Sequence, residues 1–113
     1  MAQIDTYRNT VLRKKAELAK LNQDLAKEQS KIAPLHSKIN SARNTINRTK
    51  SASTIKTKLG EIERNSKAIA DAQKRVGDIQ KRIASKEKEI AAAEKRYQEE
   101  EAKKKKKQLD EDK

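Results

Sequence analysis

Every seventh residue from Ile4 is a large aliphatic: Ile4, Val11, Leu18, Leu25, Ile32, Ile39 and Ile46. In a chain with 41% charged residues, such a column marks the seam along which a helix buries one stripe against a partner. Three residues further on runs a weaker column, Tyr7, Lys14, Leu21, Glu28, Leu35, Ala42 and Thr49, so the two read as heptad positions a and d. A second strong series follows: Ile55, Ile62, Ile69, Val76, Ile83, Ile90 and Tyr97. It is out of phase with the first, because Ile46 and Ile55 are nine residues apart. One straight coiled coil cannot carry both without a break.

The residues between the two series supply the break. Asn47, Thr49, Ser51, Ser53 and Thr54 compete for backbone hydrogen bonds and favour turns and N-caps. The first helix is predicted to end within Arg48–Lys50, with Ser51 or Ser53 capping the second. If the chain reverses there, Ile46 meets Ile55, Ile39 meets Ile62, and so on out to Ile4 and Tyr97, every pair of numbers totalling 101. The predicted fold is all-α, a long antiparallel helical hairpin, with residues 1–50 as the first arm, 51–98 as the turn and second arm, and 99–113 as a charged helical extension or linker. Pro34 removes a hydrogen bond from the first arm, so a kink or short interruption is expected near Lys31–Pro34.

Composition excludes the usual alternative, a compact globule. Phe, Trp and Cys are absent and only Tyr7 and Tyr97 supply rings, so the bulky side chains that consolidate a small core are missing. Disorder is disfavoured as well, since glycine occurs only at 60 and 77 and proline only at 34.

Antiparallel pairing sets a against d, so the second series is assigned to d. Its a column is then Leu59, Ser66, Gln73, Gln80, Glu87 and Glu94, and Lys14 faces Glu87 as a register pair. Beside the seam, Ala70, Gly77, Ala84 and Ala91 recur at heptad spacing, with Ala72, Ile79 and Ala93 on the other flank. The first arm has a related stripe, Leu12, Ala19, Ala26 and Ala33. Small residues let helices approach closely, so Ala70, Gly77, Ala84, Ala91 and Ile79 form a predicted oligomer face, taking the hairpin to a dimer, a tetramer or a larger bundle.

No catalytic, cofactor or metal residues emerge. His36 is the only histidine and there is no cysteine to share a metal with it. The acids sit at solvated helix positions, the two glycines form no phosphate-cradling loop, and an enzyme is not expected. The net charge of +12 opens an alternative, a basic helical module for nucleic acid or an anionic membrane surface. Without stacking aromatics or a recognition motif, no specific nucleic-acid partner is expected. No stretch is long and apolar enough for a membrane span, and the N-terminal residues lack a signal-peptide core, so a cytoplasmic location is expected.

Residues 44–83 carry the turn and cap TKSASTIKTKL at 49–59, then EIER at 61–64 and DIQKRI at 78–83. With these the segment resembles the coiled-coil region that precedes the TIR domain in bacterial TIR-domain proteins. The resemblance implies an assembly element acting in cis on a downstream effector domain that cleaves NAD+ in defence or virulence signalling. It carries no catalytic residue onto this chain.

Overall fold

The computed structural model describes the backbone of residues 2–111 and the side chains of residues 3–111. Three helices follow in order: α1 Ala2–Ser30, α2 Ile32–Arg48 and α3 Ala52–Glu111. No strand occurs among the described residues. The chain is an antiparallel helical hairpin, with α1 and α2 forming one arm and α3 the other. It divides into two compact bodies: a turn body, Gln23–Gln80, and a terminal body made of residues 1–22 and 81–113.

In the turn body, the arm before the reversal is broken at one residue. Pro34 has no N–H to give the Ser30 carbonyl, and the helix responds at Lys31, which keeps right-handed helical angles (φ −78°, ψ −21°) but stands between α1 and α2. The Lys31 N–H bonds the Glu28 carbonyl at 3.2 Å, a tightened 3₁₀-type link. The Ser30 hydroxyl donates to the Lys27 carbonyl at 2.7 Å, occupying an acceptor that the last turn of α1 would otherwise leave open. Pro34 thereby becomes a first-turn residue of α2, where proline is tolerated.

The reversal uses residues 49–51. Thr49 is extended (φ −102°, ψ 151°) and its N–H bonds the Thr45 carbonyl at 3.1 Å, closing α2. Its hydroxyl oxygen accepts the Ser51 N–H at 3.1 Å, and the Ser51 hydroxyl in turn accepts the Thr54 N–H at 3.3 Å. Ser51 is therefore the N-cap of α3. No described residue adopts a positive φ, so the chain turns without a glycine.

Burial follows two columns on each arm. In the turn body these are Leu25, Ile32, Ile39 and Ile46 with Glu28, Leu35, Ala42 and Thr49, against Ile55, Ile62, Ile69 and Val76 with Lys58, Asn65, Ala72 and Ile79; all are buried or half-buried. Ala72 and Ala42 are the most enclosed, at 1% and 2% exposure. In the terminal body the columns are Ile4, Val11 and Leu18 with Tyr7, Lys14 and Leu21, against Ile83, Ile90 and Tyr97 with Lys86, Ala93 and Glu100.

The second arm thus differs from the sequence expectation. Its companion column lies three residues after the strong series, not four, so Ile55, Ile62, Ile69, Val76, Ile83, Ile90 and Tyr97 stand at a. Leu59 is 55% exposed, and Ser66, Gln73, Gln80 and Glu87 are exposed as well. Three inter-arm ion pairs, Glu17–Lys86, Lys14–Glu89 and Glu28–Arg75, have numbers totalling 103, which displaces the register from 101. The physical reason is volume. The d-to-g ion pairs stand one residue off the a-to-d layers, whose numbers total 104; these bring Ile32 level with Ala72 and Val11 level with Ala93, so at these layers large meets small and the arms interdigitate. The 101 pairing would stack isoleucine on isoleucine.

In the terminal body α3 continues as helix through Glu111, and residues 103–111 are all exposed. Glu100 and Lys103 pair at 3.5 Å one turn apart, supporting this charged extension. Met1, Asp112 and Lys113, at the ends of the expected segments 1–50 and 99–113, lie outside the described residues.

Candidate functional site

The heptad frame places the exposed e and b residues on one face and the g and c residues on the other. In an antiparallel pair the e flanks meet each other and so do the g flanks, and b continues the e face as c continues the g face. The ion pairs obey this geometry. Lys15 and Glu94, both at e, pair at 3.0 Å. On the g side of the turn body, Lys38, Thr45, Glu61 and Arg64 border one open groove of about 440 Å³.

Three charges inside the seam, Lys14, Glu28 and Lys86, share an arrangement that sequence periodicity alone does not expose: each occupies d and reaches a g residue of the opposite arm, whereas Lys58 and Glu100, also at d, pair one turn along their own helix. Lys14 Nζ donates to Glu89 Oε1 at 2.6 Å, Lys86 Nζ to Glu17 Oε2 at 2.7 Å, and Arg75 Nε to Glu28 Oε2 at 2.8 Å. The three d side chains are 20%, 17% and 14% exposed. Their stems lie in the seam while their charged ends escape to the flank. The expected pairing of Lys14 with Glu87 is replaced by Lys14 with Glu89, because the g position is the one a d lysine can reach. Lys31 adds a second cation to Glu28 at 3.0 Å.

These contacts set the titration of the group. The Lys86 hydrogen bond holds the Glu17 carboxyl below its ordinary 4.5, and the Lys14 bond does the same for Glu89. Glu28 is lowered first by Arg75 and then by Lys31. Lys86 is raised above 10.5, first by the Glu17 bond. Carboxyls with depressed folded-state values stabilise the fold fully above pH 4.5, and the contribution disappears as pH falls through the folded-state values. The Lys86 contribution is complete below pH 10.5 and disappears as pH rises through its raised value. The melting temperature should therefore be level between these limits and fall on both sides. Glu28→Gln should melt lower than the unmodified protein at pH 7, with a smaller further drop on acidification to pH 3. An equal drop in both proteins would show that Glu28 does not contribute to the acid limb.

Away from the turn, the e and b face of the turn body is chemically different, whereas nearer the turn the same face carries Arg43, Lys50, Lys56 and Glu63. Ala26, Gln29, Ala33, His36 and Asn40 on one arm and Ser66, Ala70, Gln73, Gly77 and Gln80 on the other carry no formal charge at neutral pH, and all but half-buried Gly77 are exposed. A Cβ built on Gly77 would meet nothing within 4 Å, so this glycine is not required by packing inside the hairpin. Of the expected oligomer-face residues, Ala70, Ala84 and Ala91 are exposed and stand at b. Ile79 belongs elsewhere. It lies half-buried in the d column between the arms, in line with Ala72 and Ala93. In the terminal body Leu12, at b, is 58% exposed and Ala19 is exposed. The neutral face could have been found in the sequence by placing the second series at a, which brings the alanine stripes of both arms to the same heptad letter.

Among the described residues no group of three or more His, Cys, Asp or Glu side chains stands together to hold a metal ion. No described helix is long and apolar enough to cross a membrane. Fold and surface define an antiparallel coiled-coil hairpin whose turn body has a neutral stretch, within residues 26–40 and 66–80, on its e and b face. No protein family, curated protein or solved structure matches the chain.

Proposed function

We propose that this chain is a non-catalytic coiled-coil module that self-associates through the neutral stretch of its e and b face, formed by e and b residues within 26–40 and 66–80, and thereby clusters an effector domain attached in cis. The uncharged face is the observation that carries this reading. A chain of net charge +12 repels its own copies, and a surface without formal charges is where two copies can approach at least electrostatic cost. The small side chains there allow close helix approach. The effector class, a bacterial TIR domain, rests on the resemblance of residues 44–83 alone, and a cytoplasmic setting belongs to the same reading.

Dimensions set the strength. Residues 26–40 span about 22 Å of helix, and two arms side by side are about 20 Å wide. The patch therefore offers about 400 Å² per copy, about 800 Å² in total, below the roughly 1,200 Å² of stable complexes. Association should be weak and concentration-dependent, which suits a module that responds to local crowding of its effectors. In light scattering the mass should rise from 12.9 kDa towards a dimer or tetramer between about 10 μM and 1 mM. The double variant Ala33→Glu/Ala70→Glu should remain helical and monomeric. A mass fixed at the monomer value across that range would end the proposal.

A further inference from the structure

Between Glu28 and Glu61 lie seven lysines and arginines and no aspartate or glutamate. The fold gathers this stretch at one end of the turn body, where α2, the turn at 49–51 and the first turns of α3 meet. Lys31 and Lys58 are held by Glu28 and Glu61. The other five cations, Lys38, Arg43, Arg48, Lys50 and Lys56, are exposed and make no ion pair among the described residues. The first turn of α3 contains no acid, so the positive end of that helix adds to the same field. A surface of this kind costs electrostatic free energy in the free protein and recovers it when an anion neutralises it.

We infer that the hairpin tip binds double-helical DNA, entering the major groove end-on. Shape selects this partner. The hairpin is one helix thick, about 10–12 Å, and the B-form major groove is about 12 Å wide. Cations occupy both broad sides of the tip: Arg43 and Lys56 on the e and b face, Lys38 and Arg48 on the g and c face, with Lys50 in the turn. A tip inserted edgewise sets each pair against the phosphates of one wall of the groove. The hydroxyls and amides of the same segment, among them Asn44, Asn47 and Ser53, supply neutral donors for phosphates and base edges. A-form RNA has a major groove too narrow to admit the tip. Single strands are bound by stacking on aromatic rings, and residues 29–60 contain no Phe, Tyr or Trp. A membrane surface asks for apolar side chains at the point of contact, and residues 47–54 contain none larger than alanine.

The experiment is fluorescence anisotropy of the full chain with a labelled 20-base-pair DNA duplex from 50 to 200 mM salt. Five phosphate contacts give a slope of log affinity against log salt of about −4.5. The variant Arg43→Gln/Arg48→Gln/Lys50→Gln should reduce it to about −2 and weaken binding at least tenfold at 50 mM salt. Lys81→Gln/Lys88→Gln/Lys95→Gln removes the same charge from exposed positions of the terminal body and should leave slope and affinity near those of the unmodified protein. Circular dichroism checks that both variants stay helical. Four results would each overturn the inference: no binding by the unmodified protein at 50 mM salt, equal weakening in the two variants, equal or tighter binding to a duplex RNA or a single strand of the same length, or tighter binding to anionic phosphatidylglycerol vesicles.

Discussion

Replacing Ile69 by alanine is expected to destabilise the protein by about 2–5 kcal/mol, the range for truncating a buried aliphatic, while Leu59→Ala stays within about 0.5 kcal/mol. The two residues are only ten positions apart on α3. Ile69 is 7% exposed at an a position, enclosed by the opposite arm, whereas Leu59 is 55% exposed at e. The loss at Ile69 combines the transfer of its methyl and methylene groups with the cavity they leave, and a two-helix seam has few neighbours able to close that cavity. In the register totalling 101, Leu59 would be a seam residue and its truncation would cost several times more. Urea unfolding followed by circular dichroism separates the cases. Comparable losses at both positions would restore the 101 register and contradict the seam described here.

That comparison shows what periodicity can and cannot resolve. Two aliphatic columns out of phase across a Ser/Thr-rich segment are enough to specify two helical arms and a reversal, because seam spacing and capping are local properties of the chain. Ser51 was recognisable as a cap for the same reason: its hydroxyl needs only an N–H three residues ahead. Register is not local. It depends on which of two columns accompanies the strong one, and on the second arm neither candidate is mostly apolar. Leu59 and its successors follow from assigning the second series to d because the first stands at a. The fold instead selects Lys58, Asn65, Ala72, Ile79, Lys86 and Ala93, because small residues and long-stemmed lysines fit beside isoleucine. Ile79 shows the same limit from the other side. As a flank residue it suggested a surface for a further partner, yet its place is between the arms. The d-to-g ion pairs follow from register, so they become legible only once the arms are aligned. The charge asymmetry of residues 29–60 is present in the sequence, but the net charge of the whole chain does not show it.

Pro34→Ala is expected to raise unfolding free energy by about 1–2 kcal/mol. Proline in a helix interior costs about 3 kcal/mol relative to alanine. Part of that cost is already relieved by the break at Lys31, and the substitution also frees the unfolded chain by roughly 0.4–1 kcal/mol. With alanine at 34, an N–H becomes available to the Ser30 carbonyl, and α1 can run into α2 without the 3₁₀-type link from Lys31 to Glu28. Nothing apolar is lost in exchange, since Pro34 is exposed at position c. Amide hydrogen exchange at Lys31 and Ile32 should slow in the variant along with the gain in stability. Lys31→Ala, which leaves the proline in place, should show neither change. If Pro34→Ala leaves both exchange and stability where they were, the break at Lys31 is imposed by packing against α3 and would persist with any residue at position 34.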